Sequence, residues 1–210
     1  IRGKDFDAHP VRGAIVDQAA TIASARAQDL PSEIPGISET TRQLRPTASR
    51  MLRSACWERL RSELTTNAIS LRNEHGETAR LLAGAHSLLP MMKLRLARPE
   101  ILIDINDLDE LRGIRVEGDE LVLGAMVTHA EVLDSAVLAE HYAIFREAEK
   151  VIADPIVRNK GTVGGSMCQA DPSEDLSAVG SALKGTVIIQ SATGRRVVPI
   201  REFHQGPYET

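Results

Sequence analysis

Hydrophobic positions along this chain follow two different periods, and each switch between them marks a new element. The pattern is regular from Thr65 onward. "TTNAISLRNEHG" predicts a helix with Thr65 or Thr66 near its N-cap and Gly76 as its stop. "ARLLAGA" reads as a short apolar strand, and "HSLLPMMKLRLARP" as a turn or short helix broken by Pro90. "ILIDI" has the length and β-branching of a buried strand. "IRVEGDELVLGA" alternates on both sides of "EGDE", which predicts a hairpin turning at Gly118. "THAEVLDSAVLAEH" predicts one helix, with Thr128 and Glu131 spaced as a capping box, and "AIFREAEKVIA" predicts another. A further helix over "LSAVGSALK" is expected to be capped by Asp171. Pro172 would fill its first position, Glu174 would complete the reciprocal cap, and Gly185 would stop it. "GTVIIQSATGRRVVPI" closes as a second hairpin at "SATG". Helices interspersed with hairpins, without strict βαβ alternation, give the α+β class.

Residues 1–64 follow no such plan. Pro10, Pro31, Pro35 and Pro46 interrupt any long element. "VRGAIVDQAATIASARAQ" predicts a moderately amphipathic helix. "SRMLRSACWERLRSEL" predicts another, with Met51, Leu52, Cys56, Leu60 and Leu64 near helical spacing. "CWERLRSEL" does not read as a strand, and no catalytic cluster appears. The expectation is an N-terminal extension or a poorly ordered segment, not a functional domain.

Composition narrows the function. The 210 residues suffice for one or two domains, and 42% apolar with 26% charged residues suits a soluble globular protein. Aromatics make up only 3%, so the core must be aliphatic. A net charge of −4 excludes an electrostatic footprint for nucleic acid or an anionic membrane. No segment approaches the roughly 18 apolar residues of a membrane span, and no leader pattern is visible. A cytoplasmic location is the expectation. Cys56 and Cys168 lie far apart, without the spacing of a zinc site or the four thiolates of an iron–sulfur cluster. Metal or cluster chemistry would have to come from another polypeptide.

Two small-residue loops carry the candidate chemistry. In "RNKGTVGGSMCQADPSEDL", Gly164 and Gly165 are expected in an irregular loop ahead of a helix, between the hydroxyls of Thr162 and Ser166. Adjacent glycines can turn successive N–H groups to one side and leave bare backbone for a ligand to approach. The spacing matches neither a P-loop nor GxGxxG. Taken alone, it reads more readily as a structural turn. The second loop is "LLAGAHSLLP", where a strand passes through Ala83, Gly84 and Ala85 to His86 and Ser87 ahead of a helix-like segment. Such a strand exit can also hold an anion, although His86 by itself reads as a satisfied histidine at a helix start. Together the loops would suit the two phosphates of one dinucleotide. Elsewhere, His129 is expected near a helix cap, and His75, His141 and His204 show no ligand spacing. Lys93, Arg95 and Arg98 read as a solvated face that could also meet an acidic partner subunit. Met91 and Met92 read as core.

"LLAGAHSLLPMMKLRLARPEILIDINDLDELRGI", "LVLGAMVTHAEVLDS" and "RNKGTVGGSMCQADPSEDLSAVGSAL" together resemble the FAD-binding medium subunit of the molybdenum hydroxylase family, in its aerobic carbon monoxide dehydrogenase branch. "GRRVVPIREFHQGPYET" continues the likeness. The resemblance implies a vanillyl-alcohol-oxidase/PCMH-type FAD-binding fold of two α+β subdomains, divided here as 65–107 and 108–210. Residues 1–64 lie outside it, and the family's C-terminal flavoprotein subdomain is missing after Thr210. By matching position, Ala83, Gly84, Ala85, His86 and Ser87, with Thr162, Val163, Gly164, Gly165 and Ser166, would bind the FAD pyrophosphate, and Asp175 would contact FAD. Ala85 stands where the family usually has glycine, at a cost of about 1 kcal/mol if φ is positive there.

The implied role is electron relay. A molybdopterin-binding large subunit would hold the molybdenum cofactor, and a small subunit would hold the 2Fe–2S clusters. FAD on this chain would pass electrons to an external acceptor, within a dimerised heterotrimer. The alternative is a truncated remnant that binds FAD weakly or not at all. A stand-alone FAD oxidase is less favoured, because no substrate acid–base pair is evident.

Overall fold

The computed structural model describes residues 11–16, 58–61, 65–118 and 120–210. The chain divides into two compact units, one of Ile1–Asp17 with Asp109–Thr210 and the other of Gln18–Leu108. Strand β1 (Val11–Val16) belongs to the first, and β2 (Glu58–Arg61) to the second. Among the described residues, no helix is long and apolar enough to cross a membrane.

The unit of 18–108 is a three-stranded parallel sheet in the order β2-β4-β3, with β3 at Ala79–Leu82 and β4 at Ile101–Asp104. Parallel neighbours need crossovers longer than a hairpin turn, and helices supply them. Helix α1 (Thr65–His75) joins β2 to β3, and α2 (Leu88–Lys93) lies between β3 and β4. Central β4 buries Leu102, Ile103 and Asp104 in an unbroken run, as a strand covered on both faces does. Met92, Ala97 and Leu102 form the aliphatic core, with Leu82, Leu88 and Met91 packed against it. Gly76, at φ +53°, ends α1 as its position predicts.

Two expectations fail in this unit. Pro90 does not break the helix; it is the third residue of α2, where a missing N–H costs nothing within the helix. The stop comes at Arg95, at φ +60°. Its N–H donates to Met92 O (3.0 Å) while Leu96 N–H donates to Met91 O (2.9 Å), a Schellman closure. Within "CWERLRSEL", Glu58–Arg61 is a strand in register with Ile101–Asp104, not a helix. Helical spacing of a few leucines yields to the ladder that β4 offers. The rest of that expected helix lies outside the described residues.

The other unit holds a five-stranded sheet in the order β5-β6-β1-β7-β8. Strands β5 (Ile114–Glu117) and β6 (Glu120–Gly124) form the first predicted hairpin, turning through Gly118 at φ +62°. Strands β7 (Thr186–Ser191) and β8 (Gly194–Pro199) form the second. Between the hairpins runs β1, parallel to both β6 and β7, where a helix was expected. The sequence VRGAIV gains a ladder on each side there, which no isolated helix could match. The remainder of that expected helix lies outside the described residues.

Helices α3 (His129–Asp134), α4 (Ala136–His141), α5 (Ala143–Glu149), α6 (Pro155–Arg158), α7 (Val163–Gln169), α8 (Asp175–Ala182) and α9 (Ile200–Phe203) complete the unit. The capping box of α3 is present: Thr128 Oγ1 accepts from Glu131 N–H (3.2 Å), and Glu131 Oε2 accepts from Thr128 N–H (2.7 Å). The single helix expected over "THAEVLDSAVLAEH" is two. Ser135 leaves the helical region, and its Oγ accepts from Leu138 N–H (3.2 Å) to cap α4. Leu121, Met126, Val127, Val132, Leu138, Phe145 and Leu176 fill the core.

Close backbone approach limits what the junction after β6 can carry. Gly124 N–H donates to Gly113 O (2.9 Å), and a Cβ on Gly124 would stand 2.2 Å from Leu111 O. That oxygen is backbone and also accepts from Met126 N–H (2.8 Å), so it cannot swing aside. Gly124→Ala is expected to lose about 3 kcal/mol of stability. The check is the denaturant midpoint at an unchanged slope.

Candidate functional site

The two candidate loops fall in different units. In the unit of 18–108, the exit of β3 continues through Ala83, Gly84, Ala85, His86 and Ser87 into α2. The first four are half-buried and Ser87 is exposed. Ala85 has φ +65°, so alanine occupies a left-handed position suited to glycine. Its carbonyl accepts from Leu89 N–H (3.0 Å), and Ser87 O accepts from Met91 N–H (3.2 Å). Ser87 is the N-cap of α2, but its hydroxyl makes no capping bond. Pro90 brings no N–H to this first turn.

A polar pair that sequence reasoning missed holds this exit in place. Asp104 ends β4 at 1% exposure and accepts the N–H of Asn106 on Oδ1 (3.0 Å). Asn106 Nδ2 lies 2.7 Å from the same oxygen, 3.2 Å from Leu82 O and 3.1 Å from Ala83 O. Ile105 N–H also donates to Leu82 O (3.1 Å). The signal in the sequence was "DIND", polar residues directly after a buried apolar run. Also on β3, Arg80 has its pKa lowered from the usual arginine value, first by burial and then by the charge of Arg72, partly offset by Glu77.

In the other unit, Thr162, Val163, Gly164, Gly165 and Ser166 are not an irregular loop. Thr162 is the N-cap of α7, and the other four open the helix. Each N–H of this turn already has an acceptor. Val163 N–H donates to Val127 O (2.9 Å), Gly164 N–H to Ala125 O (2.8 Å), Gly165 N–H to Thr162 Oγ1 (3.1 Å) and Ser166 N–H to Thr162 O (2.9 Å). The free row of donors expected from a double glycine is therefore not formed, because the segment after β6 takes the first two.

The two glycines have different surroundings. A Cβ on Gly164 would stand 2.6 Å from Ala125 Cβ and 2.8 Å from Ala125 O, so its bareness serves backbone packing. A Cβ on Gly165 would meet only the cap oxygen Thr162 Oγ1, at 2.8 Å. Gly165 is half-buried and leaves bare backbone on its other sides. Ser166 Oγ donates to Glu174 Oε1 (3.0 Å).

Glu174, not Asp171, caps the following helix. Its carboxylate accepts from Leu176 N–H (2.9 Å) and Ser177 N–H (2.7 Å), and also binds the Ser177 hydroxyl. Asp171 instead closes a turn, accepting from Ser173 N–H on Oδ1 (2.9 Å) and from Glu174 N–H on its carbonyl (2.9 Å). This displaces Pro172 from the predicted first helical position. At the other end, Lys184 takes the left-handed conformation (φ +54°), not the predicted stop Gly185. Asp175 is the exposed first residue of α8.

His129 sits beneath this turn. It is 5% exposed, and its Nδ1 lies 2.9 Å from Oε1 of Glu149, which has no exposure at all. Its N–H donates to Gly161 O (3.1 Å), and Thr128 bridges Thr162. A Cβ on Gly161 would strike the imidazole Cδ2 at 2.8 Å. Glu149 Oε2 is buried without a protein partner. Sequence reasoning placed His129 at a cap but missed Glu149, whose position in "REAEKV" looks like a solvated helix face.

A family model described as the FAD binding domain in molybdopterin dehydrogenase matches residues 57–210. The carbon monoxide dehydrogenase medium chain of Hydrogenophaga pseudoflava is 46% identical over 143 residues, 68% of this chain and 50% of that one. The glyceraldehyde dehydrogenase medium chain of Sulfolobus acidocaldarius is 36% identical over 137 residues, 65% of this chain and 49% of that one. Among solved structures, carbon monoxide dehydrogenase from H. pseudoflava superposes with a TM-score of 0.73 at 44% identity, covering 74% of this chain and 54% of that one. Quinoline 2-oxidoreductase from Pseudomonas putida 86 gives 0.71 at 32% identity, covering 74% and 54%. The chain spans about half the length of the curated relatives it matches.

This geometry sets stability outcomes that chemical denaturation can read. Gly164→Ala is expected to lose about 2–3 kcal/mol. Gly165→Ala should stay within about 1 kcal/mol, because a weakened cap is offset by better helix propensity. Ala85→Gly should gain about 0.5–1 kcal/mol, left-handed strain relieved less the added unfolded-state entropy. For the buried pair, His129→Leu should cost about 3 kcal/mol or more by stranding Glu149. The double change with Glu149→Leu should cost less than that single change.

Proposed function

We propose that this chain, which belongs to the family of FAD-binding domains of molybdopterin dehydrogenases, is the FAD-binding part of an electron-transfer subunit in a molybdenum-containing hydroxylase or dehydrogenase. The observation that carries the proposal is Gly165: bare backbone with no packing neighbour except its own cap, at the start of a helix inside the matched segment. Gly164 beside it is enclosed by the backbone and side chain of Ala125, whereas the one neighbour that a Cβ on Gly165 would meet is Thr162 Oγ1.

Each loop, taken by itself, suits a phosphate by close approach more than by a ring of N–H donors. In this assignment Ala83, Gly84, Ala85, His86 and Ser87 form one contact, with the Ser87 hydroxyl as donor. Thr162, Val163, Gly164, Gly165 and Ser166 form another, where a phosphate lies against the bare face of Gly165. The charge of Glu174 is compensated by the N–H and hydroxyl donors around it, so it does not repel the ligand strongly. Asp175, an exposed acceptor, suits a ribose hydroxyl better than a phosphate. Bound FAD would supply the electron transfer, and the chain would supply position and exclusion of water. The subdomains are assigned as 65–107 and 108–210.

A molybdopterin-binding large subunit and an iron–sulfur small subunit are the assigned partners, in a dimerised heterotrimer. Support comes from the names of the relatives, which are medium chains and therefore parts of larger assemblies. The assigned location is the cytoplasm, where two widely separated cysteines would both stay reduced.

The test is the visible spectrum of the purified chain, with identification of any released flavin. FAD near one per chain is the expected result. A colourless protein that also fails to take up added FAD would favour the remnant. Gly165→Val should lower flavin content about tenfold or more while thermal stability stays close to that of the parent. Unchanged flavin content in that variant would overturn the assignment of this turn.

A further inference from the structure

Glu149 is the last residue of α5 and is wholly buried, yet its carboxylate is only half used. Oε1 meets His129 Nδ1 at 2.9 Å, and Oε2 is buried without a protein partner. An orphaned carboxylate oxygen at that depth lowers stability, and a well-packed apolar pair would avoid the loss. What the bond does fix is the imidazole. A carboxylate only accepts, so Nδ1 carries its proton toward Glu149. The far edge of the ring lies against Gly161, where a Cβ would stand 2.8 Å from Cδ2 and 3.3 Å from Nε2. The ring therefore occupies the side-chain place of that glycine. His129 N–H also donates to Gly161 O (3.1 Å). The next residue, Thr162, caps α7 and takes Gly165 N–H on its hydroxyl (3.1 Å). Glu149 thus reaches the bare turn through the imidazole, Gly161 and the Thr162 cap in succession.

We propose that Glu149, acting through the ring of His129, is a positioning residue for FAD, an inference that rests on the assignment of a FAD phosphate to the turn at Gly165. Ala125 and Val127 hold the N–H groups of that turn, and the imidazole holds the residue that leads into it. Removing the ring leaves the entry to α7 free to sink toward the vacated space. A site whose supporting groups are loose by about 1 Å binds weakly even with all its contact residues present. Neither His129 nor Glu149 has to touch the ligand for this effect.

The experiment compares the full chain with Glu149→Gln, with His129→Leu, and with the double variant His129→Leu/Glu149→Leu. FAD affinity is read by flavin fluorescence, stability by the denaturant midpoint, and the turn by the amide resonances of Gly161 and Gly165 without FAD. The double variant should recover stability relative to His129→Leu, because an apolar pair replaces a stranded carboxylate. It should nevertheless bind FAD about tenfold or more weakly than the parent, with both glycine amides shifted. Glu149→Gln keeps an oxygen that accepts the Nδ1 proton, so it should hold affinity within about twofold and leave both amides in place. Parent-like affinity in the double variant, or unmoved glycine amides, would overturn the proposal. So would a loss in Glu149→Gln equal to that of the double variant, or affinities that simply follow stability across the series. A parent chain that takes up no FAD would overturn the FAD assignment itself, and the glycine amides would still decide whether the pair places the turn.

Discussion

The unit of residues 1–17 and 109–210 depends on one contact between backbones. The first turn of α7 lies against the segment after β6 so closely that Val163 and Gly164 donate directly to Val127 and Ala125. No side chain fits between them: a Cβ on Gly164 would overlap Ala125, and one on Gly161 would overlap His129. Strand pairing between Thr128 and Thr162 runs into helix capping at Thr162 within this contact. The N-termini of α3 and α7 are thus tied together at a fixed distance. Whatever lies against Gly165 meets a surface whose shape the contact has already set.

Buried polar groups act as clamps at the same kind of place in both units. Asp104 and Asn106 hold the exit of β3 from the end of β4. His129 and Glu149 link α3 and α5 directly beneath the loop that leads into α7. Such pairs cost desolvation, and an apolar pair of equal volume would often be as stable. Their contribution is geometric: each fixes where a strand or helix ends. Glu174 does the same at the surface, joining Ser166 of α7 to the first turn of α8.

The double glycine shows how one motif can hold two jobs. Gly164 lets two backbones meet, and Gly165 leaves backbone bare toward the outside. In the other unit, Ala85 holds a left-handed φ without glycine, at a cost of about 1 kcal/mol. That turn keeps its shape because Leu89 N–H and the Asn106 clamp secure both of its sides.

The sequence by itself determined many of the local elements from Thr65 onward. Both hairpins were legible in their alternation and turn residues, as were the capping box at Thr128 and the strand exit at Ala83. These depend on neighbours within a few positions, and the pattern of neighbours is what a sequence displays. It also showed the family, through three motifs in unbroken order. Tertiary structure decided the rest. VRGAIV became a strand because β6 and β7 offered it two ladders from more than 100 residues away. Gly164 and Gly165 became a helix turn with its N–H groups spent, because Ala125 and Val127 lay within reach. Asn106 and Glu149 gained roles only through partners on other elements. Hydrogen bonds and steric exclusion are short-ranged in space, and a chain pattern does not show which distant residues will share that space.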